Sequence, residues 1–284
     1  MSKFTSRQWL AIVGSFLFFL SLFFINRKAP PAENPIGQQE SAHAGSNVED
    51  FDQVIKVSED SIPPAEKQLV DRLKNALSGS PDSAHAHILG HLIQTLDSIG
   101  QPIIAAYYTE KLAAIQNSAT LWTHAGQQFY DYSALGKATL KEVLINQAEQ
   151  CFTNSVKIDS NYEDAQVGLG ECLVDGSNPM KGIMTIENVL RKDSNNRNAQ
   201  IALGKFSIRS NQLPKAIYRF NRVLQIDPTY KEAYLYLAQS YEESGNKHEA
   251  IVYLKKYRTF APDSAIKTEI DNYIKEKLEN DTAK

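Results

Sequence analysis

Three histidines are the residues whose spacing first suggests chemistry. His87 and His91 stand four positions apart, which places both imidazoles on one face of a helix, a common arrangement for two metal ligands. His85 falls on a different face, and neither a cysteine nor an HExxH pattern supplies further ligands. We therefore interpret the three side chains as partly exposed helix histidines, and we predict no metal site.

The segment Gly168–Gly170 begins like a dinucleotide-binding fingerprint. Leu173 stands where the third glycine belongs, and no strand precedes the segment, so the fingerprint is incomplete. The acidic residues are scattered at positions that a helical protein exposes to solvent, and no histidine lies in a nucleophile motif. The sequence therefore predicts neither an enzyme nor a bound cofactor.

Charge and cysteine content exclude two further classes of protein. The chain has 33 acidic and 30 basic side chains, a net charge of −3 and a pI near 6.1, so no basic field is present to attract nucleic acid. Two cysteines do not make a disulfide framework, and both Cys151 and Cys172 fall in apolar helical segments. We interpret them as buried, unpaired thiols. A pair that links neighbouring structural units in an oxidising compartment is the alternative.

An uncharged apolar run occupies residues 9–25, after a short N-terminal tail of residues 1–8. A helix of this length, at about 1.5 Å per residue, extends about 26 Å, which is near the lower limit for crossing a bilayer. Arg27 and Lys28 end the run and no small-x-small cleavage site follows, so we favour an uncleaved transmembrane anchor over a cleaved signal peptide. The tail carries a slight positive excess, which predicts that it faces the cytoplasm and that the rest of the chain is extracytoplasmic (periplasmic).

The remainder of the chain divides by composition. Residues 26–64 carry the prolines, glycines and charges of a flexible linker, which buries too little apolar surface to offset the entropy of ordering it. Apolar residues then recur at helical spacing with almost no period-two alternation. The sequence therefore predicts an all-α protein in which residues 65–262 form a helical domain and residues 263–284 a capping helix and tail.

A fixed interval of 34 residues runs through the second half of the chain. Leu169, Leu203 and Leu237 are each separated by this interval. A period of this length that holds over three copies indicates stacked supersecondary units, each of which buries its apolar face against its neighbours. The three copies span residues 163–196, 197–230 and 231–264, and the interval is also kept by Gly170, Gly204 and Ala238, by Gly182, Ala216 and Ala250, and by Ile186, Phe220 and Leu254.

This pattern resembles the tetratricopeptide repeat family, whose unit is an antiparallel pair of helices. The last copy carries the family's features best, with Tyr234, Leu237 and Ala238 in the first helix and Pro262 at the end, although Tyr257 replaces the usual small residue. The resemblance extends in more degenerate form back to about residue 82. It implies a solenoid of helical hairpins that binds other proteins.

The copy that precedes the three regular ones has its two halves ten residues too far apart. Trp122 and Phe129 fit its first helix, and Ala148 and Phe152 fit its second. We infer an insertion around residues 133–142 that lengthens the turn or the helices. A catalytic role stays open only if this insertion completes a site.

In the family that the chain resembles, the fifth, ninth and twelfth positions of each first helix line a concave groove. Here they would present an aliphatic ladder beside a mixed polar row, which suits an extended peptide or an amphipathic helix. The alternative is that the fifth-position residues pack on the neighbouring helix. The lysine and asparagine with which some members clamp a terminal carboxylate are missing from the positions where the clamp needs them. The candidate partner-binding residues are Thr123, Gln127, Tyr130, Val167, Glu171, Val174, Ile201, Lys205, Ile208, Leu235, Gln239 and Glu242.

Together these features predict a single-pass membrane protein whose helical solenoid is an adaptor or assembly factor for other proteins. Its architecture is similar to that of bacterial envelope proteins of the same family, including cytochrome c maturation factors. Two alternatives stay open: a cytoplasm-facing scaffold with the anchor inverted, and a structural homo-oligomer that stacks through its own repeats.

Overall fold

A computed structural model describes residues 51–135, 138–176 and 178–279, and all regular structure in these ranges is helical. Thirteen α-helices follow one another in these ranges, and the last continues into a short π-helical segment, Ile274–Glu279. The all-α repeat prediction is confirmed for this part of the chain. The helices are α1 Phe51–Asp60, α2 Pro64–Gly79, α3 Asp82–Ser98, α4 Pro102–Gln116, α5 Ala119–Ser133, α6 Ala138–Ile158, α7 Glu163–Asp175, α8 Pro179–Lys192, α9 Arg197–Arg209, α10 Leu213–Ile226, α11 Lys231–Glu243, α12 Lys247–Arg258 and α13 Ser264–Tyr273.

Consecutive helices pack together as hairpins joined by short turns. The pairs α5/α6, α7/α8, α9/α10 and α11/α12 form four such hairpins, and each packs against the next. The first helices of successive hairpins also touch, α5 with α7, α7 with α9, and α9 with α11. These first helices therefore lie side by side along one surface of the array.

The turns after the first helices recur at the sequence period, whereas the side-chain cap at the start of α9 has no equivalent at the start of α7 or α11. The side chain of Asn196 accepts a hydrogen bond from the Ala199 amide at 2.9 Å, which caps the start of α9. Asn211 and Gly245 follow α9 and α11 with φ angles of 57° and 83°, a left-handed conformation that asparagine and glycine tolerate best. Equivalent hairpins therefore end their first helix in the same way.

Small residues let the two helices of a hairpin approach closely. A Cβ atom on Gly182 of α8 would lie 2.7 Å from the backbone nitrogen of Val174 in α7. A Cβ atom on Gly204 of α9 would lie 2.7 Å from the ring of Phe220 in α10, a ring with no exposed surface. The recurring small residues are thus required by direct contact between helices.

The insertion predicted around residues 133–142 takes the form of a longer second helix. α6 has 21 residues, whereas α8 and α10 have 14 each. α1 packs against α4 and α6. The ring of Phe51 in α1 meets the ring of Phe129 edge-on, with 5.5 Å between centroids. The irregular hairpin and α1 therefore share one core.

The presence of α1 corrects the linker prediction, which extended over residues 26–64. Val54 and Ile55 are buried in the domain, and Lys74 of α2 pairs with Glu59 of α1 at 2.7 Å. The prediction is wrong for residues 51–60, because Val54 and Ile55 follow Phe51 at helical spacing and so present one apolar face.

The predicted tail of residues 1–8, the predicted transmembrane helix of residues 9–25 and residues 26–50 of the linker all lie outside the described residues. Among the helices that are described, none combines the length and the apolar character needed to cross a membrane. At the other end of the chain, α13 and the π-helical segment cover the last hairpin. Their inward residues Ile266, Ile270, Ile274 and Leu278 are all buried.

Candidate functional site

A cavity of about 580 Å³ opens on the surface where the first helices of three successive hairpins meet. Its walls come from α5, α7 and α9, and Tyr162 and Tyr230, which precede α7 and α11, lie at its margin. We call this cavity the concave groove. It joins the irregular hairpin α5/α6 to the two regular hairpins that follow it.

Seven of the twelve residues predicted to bind a partner line the concave groove. They come from the irregular hairpin and from the next two, so the structure brings together positions that the sequence separates by one or two repeats. Their role in binding stays a prediction. The seven residues are Thr123, Gln127, Tyr130, Val167, Glu171, Ile201 and Lys205.

The aliphatic ladder expected in the groove is largely buried. Val167 and Ile201 are 3% and 8% exposed, and each belongs to a cluster of buried side chains between helices. The structure therefore favours the alternative in which fifth-position residues pack on the neighbouring helix. An occupant of the groove would meet polar and aromatic groups more than aliphatic ones.

Polar side chains on the groove wall are held by hydrogen bonds within and between repeats. Gln127 donates to Asp131 at 2.8 Å, within α5. Asn198 of α9 donates to Asp164 of α7 at 2.9 Å, which links equivalent positions of two repeats. Each carboxylate retains acceptor capacity beyond the one bond, so both remain able to receive a donor from a ligand.

Glu171 is the carboxyl group most strongly affected by its position in the groove. Burial, together with the nearby charges of Asp131 and Asp175, raises its pKa to about 7, against the opposing effect of Lys205. Burial also raises the pKa of Asp131, again opposed by Gln127 and Lys205. The groove therefore contains a carboxyl group that changes charge near neutral pH.

Lys205 is the cation of the concave groove. Burial lowers its pKa, but the neighbouring Tyr236, Glu171, Tyr230 and Asp131 outweigh that effect, so its pKa lies above the ordinary value. The ammonium group is therefore charged at physiological pH. It balances one of the three carboxyl groups of the groove wall, those of Asp131, Asp164 and Glu171.

A hydrogen-bonded link ties the C-terminal ends of the groove helices together. Tyr130 of α5 donates to Asp175 of α7 at 2.7 Å, and the other oxygen of Asp175 pairs with Arg209 of α9. Burial, with the charges of Glu171 and Asp175, raises the pKa of the Tyr130 hydroxyl, which therefore stays protonated. Three successive hairpins are thereby held in one relative position.

The other five predicted residues lie away from the concave groove. Val174 lines a different cavity, Ile208 is buried, and Leu235 is half-buried in α11. Gln239 donates to Glu243 at 2.9 Å, and Glu242 accepts a hydrogen bond from Tyr273 at 2.9 Å. The cap therefore occupies the position where the predicted groove would continue. The five residues are Val174, Ile208, Leu235, Gln239 and Glu242.

Sequence reasoning missed several residues of the groove. Asp131 lies one turn after Gln127, and Asp164 and Asn198 are at the starts of their helices, outside the three positions considered. A signal was available, because Asp164 and Asn198 are separated by the same 34-residue interval. Polar residues near the helix starts that recur every 34 residues would therefore have identified this wall of the concave groove.

The three histidines of α3 and the two cysteines lie outside the groove. The rings of His87 and His91 touch each other, 4.6 Å apart, and His85 contacts the carbonyl of Ser80. In the described residues, no group of three or more candidate side chains is arranged for a metal ion. Cys151 and Cys172 are buried and unpaired, as interpreted from the sequence.

The arrangement of hairpins is similar to that of solved tetratricopeptide repeat structures. The crystal structure of a tetratricopeptide repeat protein from Parabacteroides merdae ATCC 43184 matches 79% of this chain and 85% of its own, with a TM-score of 0.54 and 15% identity. The Cut9–Hcn1 hetero-tetramer of the APC/C matches 75% of this chain and 40% of that chain, with a TM-score of 0.52 and 14% identity. The described domain has a tetratricopeptide-like helical repeat fold.

Sequence comparison adds one partial match. The family described as Regulator of microtubule dynamics protein 1-3 matches residues 197–282, which is less than half of the chain. No curated protein matches the sequence of this chain. The solved structures therefore share with this chain its helical repeat fold.

Proposed function

We propose that this protein is a membrane-anchored adaptor or assembly factor that binds a segment of another protein in the concave groove. The observation that carries the proposal is the groove itself, an open cavity of about 580 Å³ built by three successive hairpins. A cavity of this size accommodates a few residues of an extended chain, as ligand sites of several hundred Å³ commonly do. Its role is binding rather than catalysis.

The lining of the groove indicates the chemistry of the segment. Three carboxyl groups face one ammonium group, that of Lys205, so the wall carries an excess of negative charge when all are ionised. Val167 and Ile201 are buried, which leaves little apolar surface for an amphipathic helix. An extended segment with a basic side chain placed between Asp131 and Glu171 fits this lining best.

The rigidity of the groove favours binding. The Tyr130–Asp175–Arg209 link and the close helix contacts hold the walls in place before a partner arrives. Little conformational entropy is then lost from the adaptor when the partner binds. The similarity to the hetero-tetrameric Cut9–Hcn1 chain is one of fold, and an assembly role for this chain belongs to the proposal.

The N-terminal sequence supplies the membrane part of the proposal. An anchor at residues 9–25 would hold the groove near the bilayer and raise its effective concentration for partners in the same membrane. The excess of positive charge before the anchor favours an extracytoplasmic (periplasmic) repeat domain.

Site-specific photo-cross-linking of the full-length protein in its own membranes tests this function. A photoreactive residue is placed at Gln127, which is exposed in the groove, or at Lys157, which is exposed on α6 elsewhere. We expect Gln127 alone to capture a partner polypeptide, and Asp131→Lys to lower its yield about tenfold because the charge of the wall is reversed. Glu269→Lys, an equal charge change on the cap, is the control.

The same membranes are washed with carbonate before analysis, so the experiment also shows whether the protein is anchored. Equal capture from Gln127 and Lys157, or equal yields from the Asp131 and Glu269 variants, would exclude the groove as the binding site. Capture of a second copy of the chain would replace the adaptor with a homo-oligomer.

A further inference from the structure

A second cavity, of about 460 Å³, lies on a different surface from the concave groove. The second helices α8 and α10 of two regular hairpins form its walls, and α9 forms its floor. We call it the lateral groove. The lateral groove shares no lining residue with the concave groove, so its ligand is independent of the proposed function.

The floor and one wall of the lateral groove are apolar. Leu203 and Phe206 form the buried floor, and Met180 stands on the wall with 72% of its surface exposed. Met184, one helical turn further along α8 and beside the lining of the groove rather than in it, is 55% exposed. Two exposed methionines on one helix face are unfavourable in water, and methionine adapts its shape readily to a docked partner.

The opposite wall carries positive charge. Lys215 and Arg219 of α10 both line the groove. The Lys215 ammonium donates to the side-chain oxygen of Gln212 at 2.6 Å, and the Arg219 guanidinium donates to that of Gln200 at 3.0 Å. These hydrogen bonds orient the two cations but do not neutralise them, because both acceptors are uncharged amides.

The remaining charges of the groove do not cancel this excess. Arg209 is paired with Asp175, so the two together add no net charge. Glu187 on α8 is the acidic residue of the lining. The lateral groove therefore carries a net positive charge beside its apolar strip, the reverse of the charge on the wall of the concave groove.

We propose that the lateral groove binds an acidic amphipathic helix of a partner protein. The apolar face of such a helix, lying along α8, would cover Met180 and Met184. These two methionines are one helical turn apart, which is also the spacing of apolar side chains on the bound helix. Its carboxylates would reach Lys215 and Arg219 on the opposite wall. The two grooves thus bind segments of opposite charge, which lets one chain hold two partners in a defined order.

The test uses fluorescence anisotropy with designed peptides and the full-length protein in detergent. The probe is an amphipathic peptide of about 15 residues, or about four helical turns, with leucines on one face and glutamates on the other. A second peptide carries lysines in place of the glutamates. We expect the acidic peptide to bind at least about tenfold more tightly than the basic one, with an affinity that falls as salt is added.

Two variants locate the site. Met180→Asp and the double variant Lys215→Glu/Arg219→Glu are each expected to weaken binding of the acidic peptide about tenfold. Lys181→Glu changes the charge of an exposed neighbour outside the groove and serves as the matched control, and Asp131→Lys tests the concave groove. Neither of these is expected to alter the affinity. Circular dichroism confirms that each variant is folded.

Three results would overturn the proposal: no measurable binding of the acidic peptide, equal binding of the two peptides, or equal affinities for the Met180 and Lys181 variants. Sedimentation velocity supplies a further check. Self-association that Met180→Asp abolishes would make a second copy of this chain the occupant. Failure of the concave groove to capture a partner would leave this result unaffected, because the Asp131 variant separates the two sites.

Discussion

The regular hairpins α7–α12 and the irregular segment α1–α6 achieve the same kind of packing by different means. In the regular part, small residues and turn residues recur at the repeat interval, so each hairpin contacts the next in the same way. In the irregular part, the long helix α6 and the added helix α1 are held by contacts that occur once, such as that of Phe51 with Phe129.

The concave groove lies where these two parts meet. α5 belongs to the irregular part, and α7 and α9 belong to the regular one. A groove entirely within identical hairpins would repeat its lining, whereas this one combines Gln127 and Asp131 from α5 with residues of two repeats. Irregularity next to a regular array therefore gives the groove a lining that the repeats alone would not provide.

The largest difference in stability between the regular and irregular parts is expected when a glycine is replaced in each. Gly182→Ala in α8 would place a methyl group against the backbone of α7, so we expect the free energy of unfolding to fall by about 3 kcal/mol. Gly90→Ala in α3 meets no atom within 4 Å and is expected to stabilise the protein by about 0.5–1 kcal/mol. Urea denaturation of the full-length protein measures both.

A result in which both glycine variants stabilise the protein would show that the hairpin separation is adaptable. The very close helix contact at Gly182 in the regular part would then not limit the stability of the protein.

A smaller effect is expected from the contact that holds α1. Phe51→Ala removes a partly buried ring from beside Phe129 and is expected to destabilise the protein by about 2 kcal/mol. Hydrogen exchange should rise in α1 and α4 while α9–α12 keep their protection, because the contact belongs to the irregular part. Val57→Ala, at an exposed position of α1, is the control with little effect. Uniform loss of protection throughout would instead show one cooperative unit.

The regular part of the fold could be predicted from the sequence because its determinants repeat. The left-handed turn positions Asn211 and Gly245 and the close contact of Gly204 with Phe220 all follow from one interval. α1 could not be predicted in the same way. Its packing partners are distant in sequence and unique, so Phe51 and Val54 carried no repeated pattern that would identify them.

Seven of the twelve candidate residues could be placed in one groove from the sequence, but the chemistry of that groove could not. The repeat interval placed Glu171 and Lys205 on one wall. It did not reveal that Val167 would be buried, because that depends on how closely neighbouring hairpins approach. It also did not reveal that Tyr273 of the cap would bond to Glu242, which depends on where the chain turns after the last repeat.

The smallest predicted effect is a pH dependence of stability that arises from Glu171 in the wall of the concave groove. Because the pKa of Glu171 is raised to about 7 in the folded protein from an ordinary value of 4.5, the folded state holds a proton that the unfolded state has lost between these pH values. The stability of the protein therefore falls as the pH rises through this window. Glu171→Gln removes the penalty, so we expect it to raise the free energy of unfolding by about 1 kcal/mol at pH 8 and by much less at pH 4.5.

Urea denaturation at the two pH values measures this difference, with Glu187→Gln at an exposed position of α8 as the matched control. We expect only a small effect because the Glu171 carboxyl group opens into the groove, where water reduces the cost of its charge. The substitution also removes the favourable electrostatic interaction with Lys205. A Glu171→Gln variant that loses stability equally at both pH values would mean that the carboxylate is stabilised by Lys205 more than it is penalised by burial. Glu171 and Lys205 would then balance each other, and the excess of negative charge that a basic partner segment requires would come from Asp131 and Asp164 alone.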